Sequence, residues 1–279
     1  VGRFGGTMHG HKGFIGYYFI VLPLILLPFT GWFLRLLPAF RLSWADPLDR
    51  FMWIWFVVVF AFFSFSGTKL PHYVLYGATP LFVLMARHRG LLSNRWLAFA
   101  PPAAFFAVLV FLPEIVAIAG QQAGRAHQVA MFELGREVLD PAYRVMTGIG
   151  LGGVLALALW RGRNVWQGLI LAGFVQVLVL YGALVPRVFE VLQQPVKEAG
   201  LLARELDMPT VVYNTNMPSF SVYREAITPE RDPVDGELVF LRVDKLEKMA
   251  ERLPHLEQEV VFRRGQAALV KVRSRTGDG

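Results

Sequence analysis

The sequence predicts a polytopic α-helical membrane protein of about six transmembrane helices, followed by a small extracytoplasmic α/β domain. Of its 279 residues, 54% are hydrophobic and only 18% are charged, whereas a typical soluble domain has about 25% charged residues. The charges are also uneven, because residues 1–184 contain 20 charged side chains and residues 185–279 contain 29. The chain therefore divides into an apolar part and a water-soluble part. This composition excludes an ordinary soluble protein and a disordered chain.

Six apolar stretches are candidates for crossing the bilayer, which requires about 20 mainly apolar residues. Several contain proline, which membrane helices tolerate when neighbouring groups satisfy the freed carbonyls. The fifth is rich in glycine, including Gly148 and Gly150, which would let helices approach closely. The transmembrane region is predicted over residues 1–185, with spans at about 14–37, 51–66, 71–86, 96–119, 145–160 and 165–185.

Arginines in the short loops predict the orientation, because Lys and Arg are retained on the cytoplasmic side of a membrane. Loops 35–50, 86–95 and 161–164 are denser in arginine than the loops between them, so we place these three loops in the cytoplasm. With six spans, both termini then lie outside, and the tail from about residue 186 is extracytoplasmic.

The tail, residues 186–273, is predicted to form a small α/β domain. Its apolar residues recur at helical spacing over 187–206, where Pro195 interrupts or offsets the pattern. Asp244 is a candidate cap for a later helix. The alternation of strands and helices indicates a partly parallel sheet, and the last residues, 274–279, are predicted to be disordered. The remaining elements are strands at 210–213 and 238–242, helices at 218–224 and 245–252, and a hairpin of 260–263 with 267–272 around Arg264 and Gly265.

The net charge of +7 does not indicate a nucleic-acid partner. The excess lies in the apolar part, where loop arginines account for most of it, and no basic stripe with interleaved aromatic residues is present. The chain has no cysteine, so disulfide and thiolate chemistry are excluded.

A first polar cluster precedes the first span and contains His9, His11 and Lys12, with Tyr17 and Tyr18 following. Basic groups at the outer water–lipid boundary can bind a lipid phosphate. The alternative is an interfacial loop with a snorkelling lysine and an aromatic belt. A divalent metal could also bind His9 and His11, but two ligands do not make a site, so no metal or other cofactor is assigned.

A second cluster lies in the very short loop between the second and third spans. It runs from Ser64 to Tyr76 and contains Lys69 and Tyr73. A lysine at this depth is costly unless it faces protein, water or an anion. The functional interpretation is a Lys–Tyr clamp on a phosphate, and the alternative is a lysine that anchors the helix at the membrane boundary.

Both clusters resemble motifs of glycosyltransferase family 39, the polyprenyl-phosphate-sugar transferases that include aminoarabinose–lipid A transferases and protein O-mannosyltransferases. The family's Ser-x-Ser-x-x-Lys-Leu-Pro-x-Tyr-x-Leu segment is the more specific of the two motifs. The other segment departs from the family pattern at Gly13, where proline is usual, and at Gly16, where a bulky residue is common. The matching stretches are Arg3-Phe4, His11-Lys12-Gly13-Phe14, Tyr17-Tyr18 and Ser64-Phe65-Ser66-Gly67-Thr68-Lys69-Leu70-Pro71-His72-Tyr73-Val74-Leu75.

The resemblance implies the C-terminal half of a membrane glycosyltransferase of the bacterial inner membrane, with a periplasmic C-terminal domain. Such enzymes move a sugar from a polyprenyl-phosphate carrier to an acceptor hydroxyl of lipid A, a glycan or a protein. Lys69 and Tyr73 become candidates for binding the donor phosphate. His11 and Lys12, with His9 as the fallback, become candidates for the donor–acceptor cavity. The family's acidic base is expected upstream of residue 1, so this segment by itself is expected to be inactive.

Two other functions stay open at this point. A transporter or flippase for lipid-linked anions would use the same basic outer mouth, but it should carry charges deep in its spans or inverted repeats. A membrane anchor that presents a periplasmic α/β binding module would tolerate substitution of its polar residues.

Overall fold

The computed structural model describes residues 16–66 and 69–275. The chain forms two compact units, one of residues 1–108 with 147–179 and the other of residues 109–146 with 180–279. This division differs from the domain boundary predicted at residue 185, because residues 109–146 group with the tail. Each unit is described by itself.

The apolar helices are fewer and more broken than the predicted spans. Among residues 16–66 and 69–275, three are long and apolar enough to cross a membrane, at Pro47–Phe65, Pro141–Leu159 and Val165–Leu192. The count rises to five if each of two bent pairs is one span. The predicted six spans are therefore not confirmed among the described residues. The helices of this part are α1 Tyr17–Ile25, α2 Thr30–Leu36, α3 Phe40–Ser43, α4 Pro47–Phe65, α5 Leu75–Arg87, α6 Arg95–Val110, α7 Leu112–Gln121, α8 Ala126–Val138, α9 Pro141–Leu159 and α10 Val165–Val179.

Proline positions explain the breaks. The first predicted span turns by 116° between α1 and the following helical segment, at a connection that contains Pro28, which cannot donate a helical hydrogen bond. The fourth predicted span is interrupted at Phe111, and Pro113 lies in the first turn of α7, where its missing N–H costs nothing. The third predicted span is a 3₁₀ turn, Pro71–Val74, followed by the 13-residue α5, which is shorter than a bilayer requires.

Glycines let two helices of the first unit, α2 and α9, each lie close against α6. A Cβ atom added to Gly31 in α2 would lie 2.0 Å from the carbonyl oxygen of Leu97 in α6. At Gly150 in α9, an added Cβ would lie 2.3 Å from the Phe106 ring. By contrast, a Cβ on Gly148 or Gly152 would meet nothing within 4 Å. Only some of the glycines predicted to permit close packing therefore do so.

We expect Gly31→Ala to lower the free energy of unfolding by about 1–3 kcal/mol, because the new methyl group must displace backbone rather than a mobile side chain. The thermal unfolding of the full-length protein in detergent measures this loss. Gly148→Ala is the matched control, and it should be neutral or stabilising because alanine has the higher helix propensity. Equal unfolding temperatures for the two variants would contradict the close approach of α2 to α6.

The second unit contains a mixed four-stranded sheet in the order β1-β2-β4-β3. β1 and β2 are parallel, and the other two pairings are antiparallel, which confirms the predicted partly parallel sheet. The β3–β4 hairpin turns at Gly265, whose φ of +50° favours glycine. The elements are α11 Val185–Leu192, α12 Gln194–Glu205, β1 Thr210–Val212, α13 Ser219–Arg224, β2 Leu238–Arg242, α14 Leu246–Arg252, β3 Leu256–Arg264 and β4 Ala267–Ser274.

Several details of the tail differ from the sequence prediction. β3 begins at Leu256, four residues before the strand predicted over 260–263. The helix predicted over 187–206 is divided into α11 and α12, with Pro195 in the first turn of α12. Asp244 does not cap α14, because Lys245 occupies that position and makes no side-chain cap, while the Asp244 carboxylate accepts hydrogen bonds from Arg242. β4 runs to Ser274, the first residue of the tail predicted to be disordered, and residues 276–279 lie outside the described part.

Alternate residues of the strands supply a core on each face of the sheet. On one face, α12 and α13 pack over Val212 and Phe240, and the ring of Phe220 stacks on Phe240 at 3.9 Å. On the other face, Met249 of α14 packs against Val239, and Ala130 of α8 lies against the same cluster. The segment that contains α8 therefore packs against the tail's core, which explains why residues 109–146 group with it.

Candidate functional site

Lys69 lies at the carboxyl end of α4 and is only 7% exposed. Its ammonium group donates hydrogen bonds to the backbone carbonyls of Ser64, at 2.6 Å, and Ser66, at 2.9 Å. The last carbonyls of a helix lack helical partners and carry the negative end of the helix dipole. The lysine therefore does not extend into solvent as a snorkelling anchor would, and its charge is held at one point by the end of the helix.

Two tyrosines contact residues that neighbour the lysine in this region. The hydroxyl of buried Tyr18 donates to the carbonyl of Leu70 at 3.1 Å and so ties α1 to the residue after Lys69. Tyr73 is half-buried, and its ring stacks on Phe63 of α4 with centroids 4.8 Å apart. Lys69 and Tyr73 thus both contact the end of α4, and we call these two residues the outer pair, after the predicted orientation.

The outer pair has unused capacity to bind an anion. An ammonium group has three protons, and two of those of Lys69 are directed to carbonyls. Within residues 16–66 and 69–275, the Tyr73 hydroxyl makes no hydrogen bond. A phosphate that reached both groups would accept a hydrogen bond from each, and charge-assisted hydrogen bonds of this kind are about twice as strong as neutral ones.

The residues of the first motif lie outside the described part of the chain. These are His9, His11 and Lys12, so their relation to the outer pair stays a prediction. In the described ranges, no group of three or more His, Cys, Asp or Glu side chains could hold a metal ion.

A second polar cluster, which the sequence analysis missed, lies at the opposite end of α4. The Asp49 carboxylate is buried and accepts hydrogen bonds from Arg87 Nε and His88 Nε2, both at 2.5 Å. Asp46 caps α4 by accepting from the backbone N–H groups of Leu48 and Asp49, and it lies 3.2 Å from Arg87. This cluster joins α4 to the end of α5. The sequence offered one signal for this cluster, which is the acidic residue Asp49 at the start of an otherwise apolar span.

A third cluster connects α8 to the sheet in the second unit. The carboxylate of Asp244 lies 3.4 Å from His127 Nδ1 and accepts hydrogen bonds from Arg242. Those bonds hold the pKa of Asp244 below its ordinary value, while burial and the nearby Arg242 charge lower the pKa of His127. The histidine is therefore held mainly neutral at pH 7, which suits a structural link better than acid–base chemistry.

An apolar cavity of about 470 Å³ lies beside His127 in the second unit. It is enclosed by α7, α8 and α11, and Arg187 is the other ionisable residue that lines it. Its chemistry suits a hydrocarbon segment and offers few polar partners.

Comparison with known proteins identifies relatives that share parts of the sequence. The chain is 41% identical over 91 residues to undecaprenyl phosphate-alpha-4-amino-4-deoxy-L-arabinose arabinosyl transferase 2 of Proteus mirabilis, covering 31% of the chain and 16% of the relative. It is 28% identical over 197 residues to the corresponding transferase of Pseudomonas paraeruginosa, covering 65% of the chain and 32% of the relative. No family model matches the chain. The resemblance predicted from the two motifs is nevertheless confirmed.

Solved structures extend the likeness to the whole chain at the level of fold. The crystal structure of ArnT from Cupriavidus metallidurans bound to undecaprenyl phosphate has a TM-score of 0.66 and 17% identity, over 100% of this chain and 55% of that one. The apo structure of the same protein has a TM-score of 0.67 and 17% identity, over 95% and 53%. The chain therefore has an ArnT-like fold and spans about half the length of that protein.

Proposed function

We propose that the chain is the C-terminal part of an integral-membrane glycosyltransferase that moves a sugar from a polyprenyl-phosphate carrier to an acceptor hydroxyl at the periplasmic face. The observation that carries this function is the outer pair, in which a buried lysine and a tyrosine with spare donors lie within the Lys-Leu-Pro-His-Tyr motif. The similarity to aminoarabinose transferases supports the same reaction class.

The chemistry requires cationic and hydroxyl donors at this place. Breaking the bond between sugar and phosphate leaves negative charge on the departing phosphate, and fixed donors stabilise that charge without reorganising. Lys69 would supply a full charge and Tyr73 a hydroxyl. The acidic base that deprotonates the acceptor would come from residues upstream of Val1, and His11 and Lys12, or His9, would line the cavity between donor and acceptor.

The proposed donor follows from the matched relatives, and the proposed acceptor follows from the family resemblance of the two motifs. We propose an undecaprenyl-phosphate-linked aminoarabinose as the donor, because the relatives are named for that compound, and lipid A as the acceptor. A glycan or a protein is the alternative acceptor, and an assay with each of the three distinguishes them.

The proposed location is the bacterial inner membrane. Residues 1–185 would form the membrane region, with loops 35–50, 86–95 and 161–164 in the cytoplasm and residues 186–273 in the periplasm. Supporting this orientation, Lys69 and the arginine-dense segment 35–50 lie at opposite ends of α4, although the structure makes most of that predicted loop helical.

A transfer assay tests the function and the part played by Tyr73. The full-length protein, including any residues before Val1, is incubated with radiolabelled undecaprenyl-phosphate aminoarabinose and lipid A. We expect Tyr73→Phe to lower kcat/KM for the donor at least about tenfold, since one hydrogen bond to a charged group is worth about 1.5–3 kcal/mol. Tyr76→Phe is the matched control, because Tyr76 is an exposed tyrosine on the next turn, and its kcat/KM should be unchanged.

Each outcome of this assay tests a separate claim. Wild-type kcat/KM in Tyr73→Phe would remove Tyr73 from the donor site. The absence of transfer from any polyprenyl-phosphate sugar by the wild-type protein would overturn the transferase function. Movement of the labelled lipid across a proteoliposome membrane without sugar transfer would indicate a flippase instead.

A further inference from the structure

A polar cavity of about 620 Å³ lies in the first unit, between the turn that follows α5 and the start of α10. Three guanidinium groups line it, and no carboxylate does so among the residues that the structure describes. The lining is formed by Arg87, Arg89, Gly90, Leu92, Ser93, Arg163, Asn164, Val165 and Trp166.

Two of the three arginines are not neutralised by a carboxylate. Arg87 is paired with Asp49 and Asp46, but Arg89 and Arg163 make no ion pair within the described ranges. Both are exposed. Each guanidinium lies over an indole ring, that of Arg89 at 5.8 Å from Trp166 and that of Arg163 at 4.9 Å from Trp160. Stacking restricts where the two charges lie, and a bound anion would satisfy both.

Neutral donors in the same cavity complement the arginines. Ser93 offers a hydroxyl and Asn164 an amide. Val165 and Trp166 are the first two residues of the 15-residue α10, and N–H groups in the first turn of a helix lack helical partners. Guanidinium groups, a hydroxyl and helix N–H groups together are the donors that bind phosphate oxygens.

An apolar groove begins beside this cavity. It lies between α9 and α10, has a volume of about 570 Å³ and is lined by apolar side chains that include Leu157, Trp160 and Phe174. Trp160 lines the groove and also carries the Arg163 guanidinium on its ring. The charged cavity and the apolar groove therefore meet at the Trp160–Arg163 contact, which is the arrangement that an amphipathic anion requires.

We propose that the cavity and the groove together bind an anionic phospholipid. The phosphodiester lies between Arg89 and Arg163, and one acyl chain lies along the groove between α9 and α10. Both loops of the cavity belong to the arginine-dense set predicted to be cytoplasmic, so the lipid belongs to the inner leaflet. This site lies on the predicted face opposite the outer pair and does not depend on the proposed transfer reaction.

Native mass spectrometry of the full-length protein, delipidated in detergent, tests the site. Phosphatidylglycerol is titrated against the wild type, Arg89→Gln/Arg163→Gln and the control Arg41→Gln/Arg50→Gln. The control removes the same charge from exposed arginines on the same predicted face, neither of which lines the cavity. We expect the first double variant to bind phosphatidylglycerol at least about tenfold more weakly and the control to bind like the wild type. Each variant's unfolding temperature establishes that it is folded.

Other ligands separate a lipid from a free phosphate. Phosphatidylcholine should bind at least about tenfold more weakly than phosphatidylglycerol, because its headgroup carries no net charge. Inorganic phosphate should not displace the bound lipid at millimolar concentration, because it lacks the acyl chain. Equal weakening in both double variants, or equal binding of the two lipids, would overturn the site. Displacement by inorganic phosphate would show a free-anion site and overturn the assignment to a lipid.

Discussion

Lys69→Met is expected to lower the rate of sugar transfer by the full-length enzyme at least about a hundredfold. The ammonium group is the one full charge of the outer pair, and loss of a single fixed donor to a developing anion typically costs about 10²–10³ in rate. A single-turnover assay with radiolabelled donor measures the chemical step directly. Because Lys69 is bonded to Ser64 and Ser66, the same variant also loses two hydrogen bonds at the end of α4.

Lys69→Arg separates the two roles of this lysine. Arginine keeps the positive charge and the donors, so it should recover part of the transfer rate even though its planar group cannot reproduce the geometry of the ammonium. A Lys69→Met protein that inserts into the membrane and turns over at the wild-type rate would remove the phosphate role. A loss of rate that follows the unfolding temperature in both variants would assign Lys69 to capping the helix alone.

Asp49→Asn is expected to lower the free energy of unfolding by about 2–3 kcal/mol. Removing one partner of a buried ion pair costs about 3–5 kcal/mol, and we reduce that range because the side chain of Arg87 is 39% exposed while that of Asp49 is 2% exposed. The variant leaves Arg87 and His88 without the carboxylate that both contact. Thermal unfolding of the full-length protein in detergent measures the effect.

Asp46→Asn is the matched control for this second variant. The same chemical change at Asp46 removes a carboxylate that is 46% exposed, and asparagine caps a helix as well as aspartate does. Its effect should stay within about 0.5 kcal/mol. If the two variants unfold at the same temperature, the buried Asp49 cluster does not stabilise the junction of α4 and α5.

Local patterns in the sequence predicted several elements of the tail. The strand predicted over 238–242 is β2, and the hairpin predicted around Arg264 and Gly265 is formed by β3 and β4. These predictions succeeded because β-propensity and turn residues act within a few positions. The helix cap predicted at Asp244 is wrong because its carboxylate accepts a hydrogen bond from Arg242 instead. Which donor a carboxylate bonds is decided only in the folded chain.

In the candidate site, too, some features were predictable from the sequence and others were not. The motif around Lys69 and Tyr73 was visible in the sequence, together with its resemblance to a transferase family. That Lys69 is buried and bonded to the end of α4 was not visible, because hydropathy alone cannot distinguish a buried lysine from one that snorkels to water. The Asp49–Arg87 contact joins residues 38 positions apart, so it exists only once α4 and α5 pack together.

Composition and charge by themselves determined that the chain has a long apolar part and a polar tail, because both properties are sums over residues and need no packing. Local periodicity added the helices and the α/β character of the tail. Only the tertiary structure decided how the apolar stretches are divided into helices, since prolines and turns bend the chain at particular connections. It also decided that residues 109–146 belong with the tail, because α8 buries an apolar side chain against the sheet. The arginine-lined cavity beside α10 likewise depends on two loops that are distant in sequence lying together, which no local pattern records.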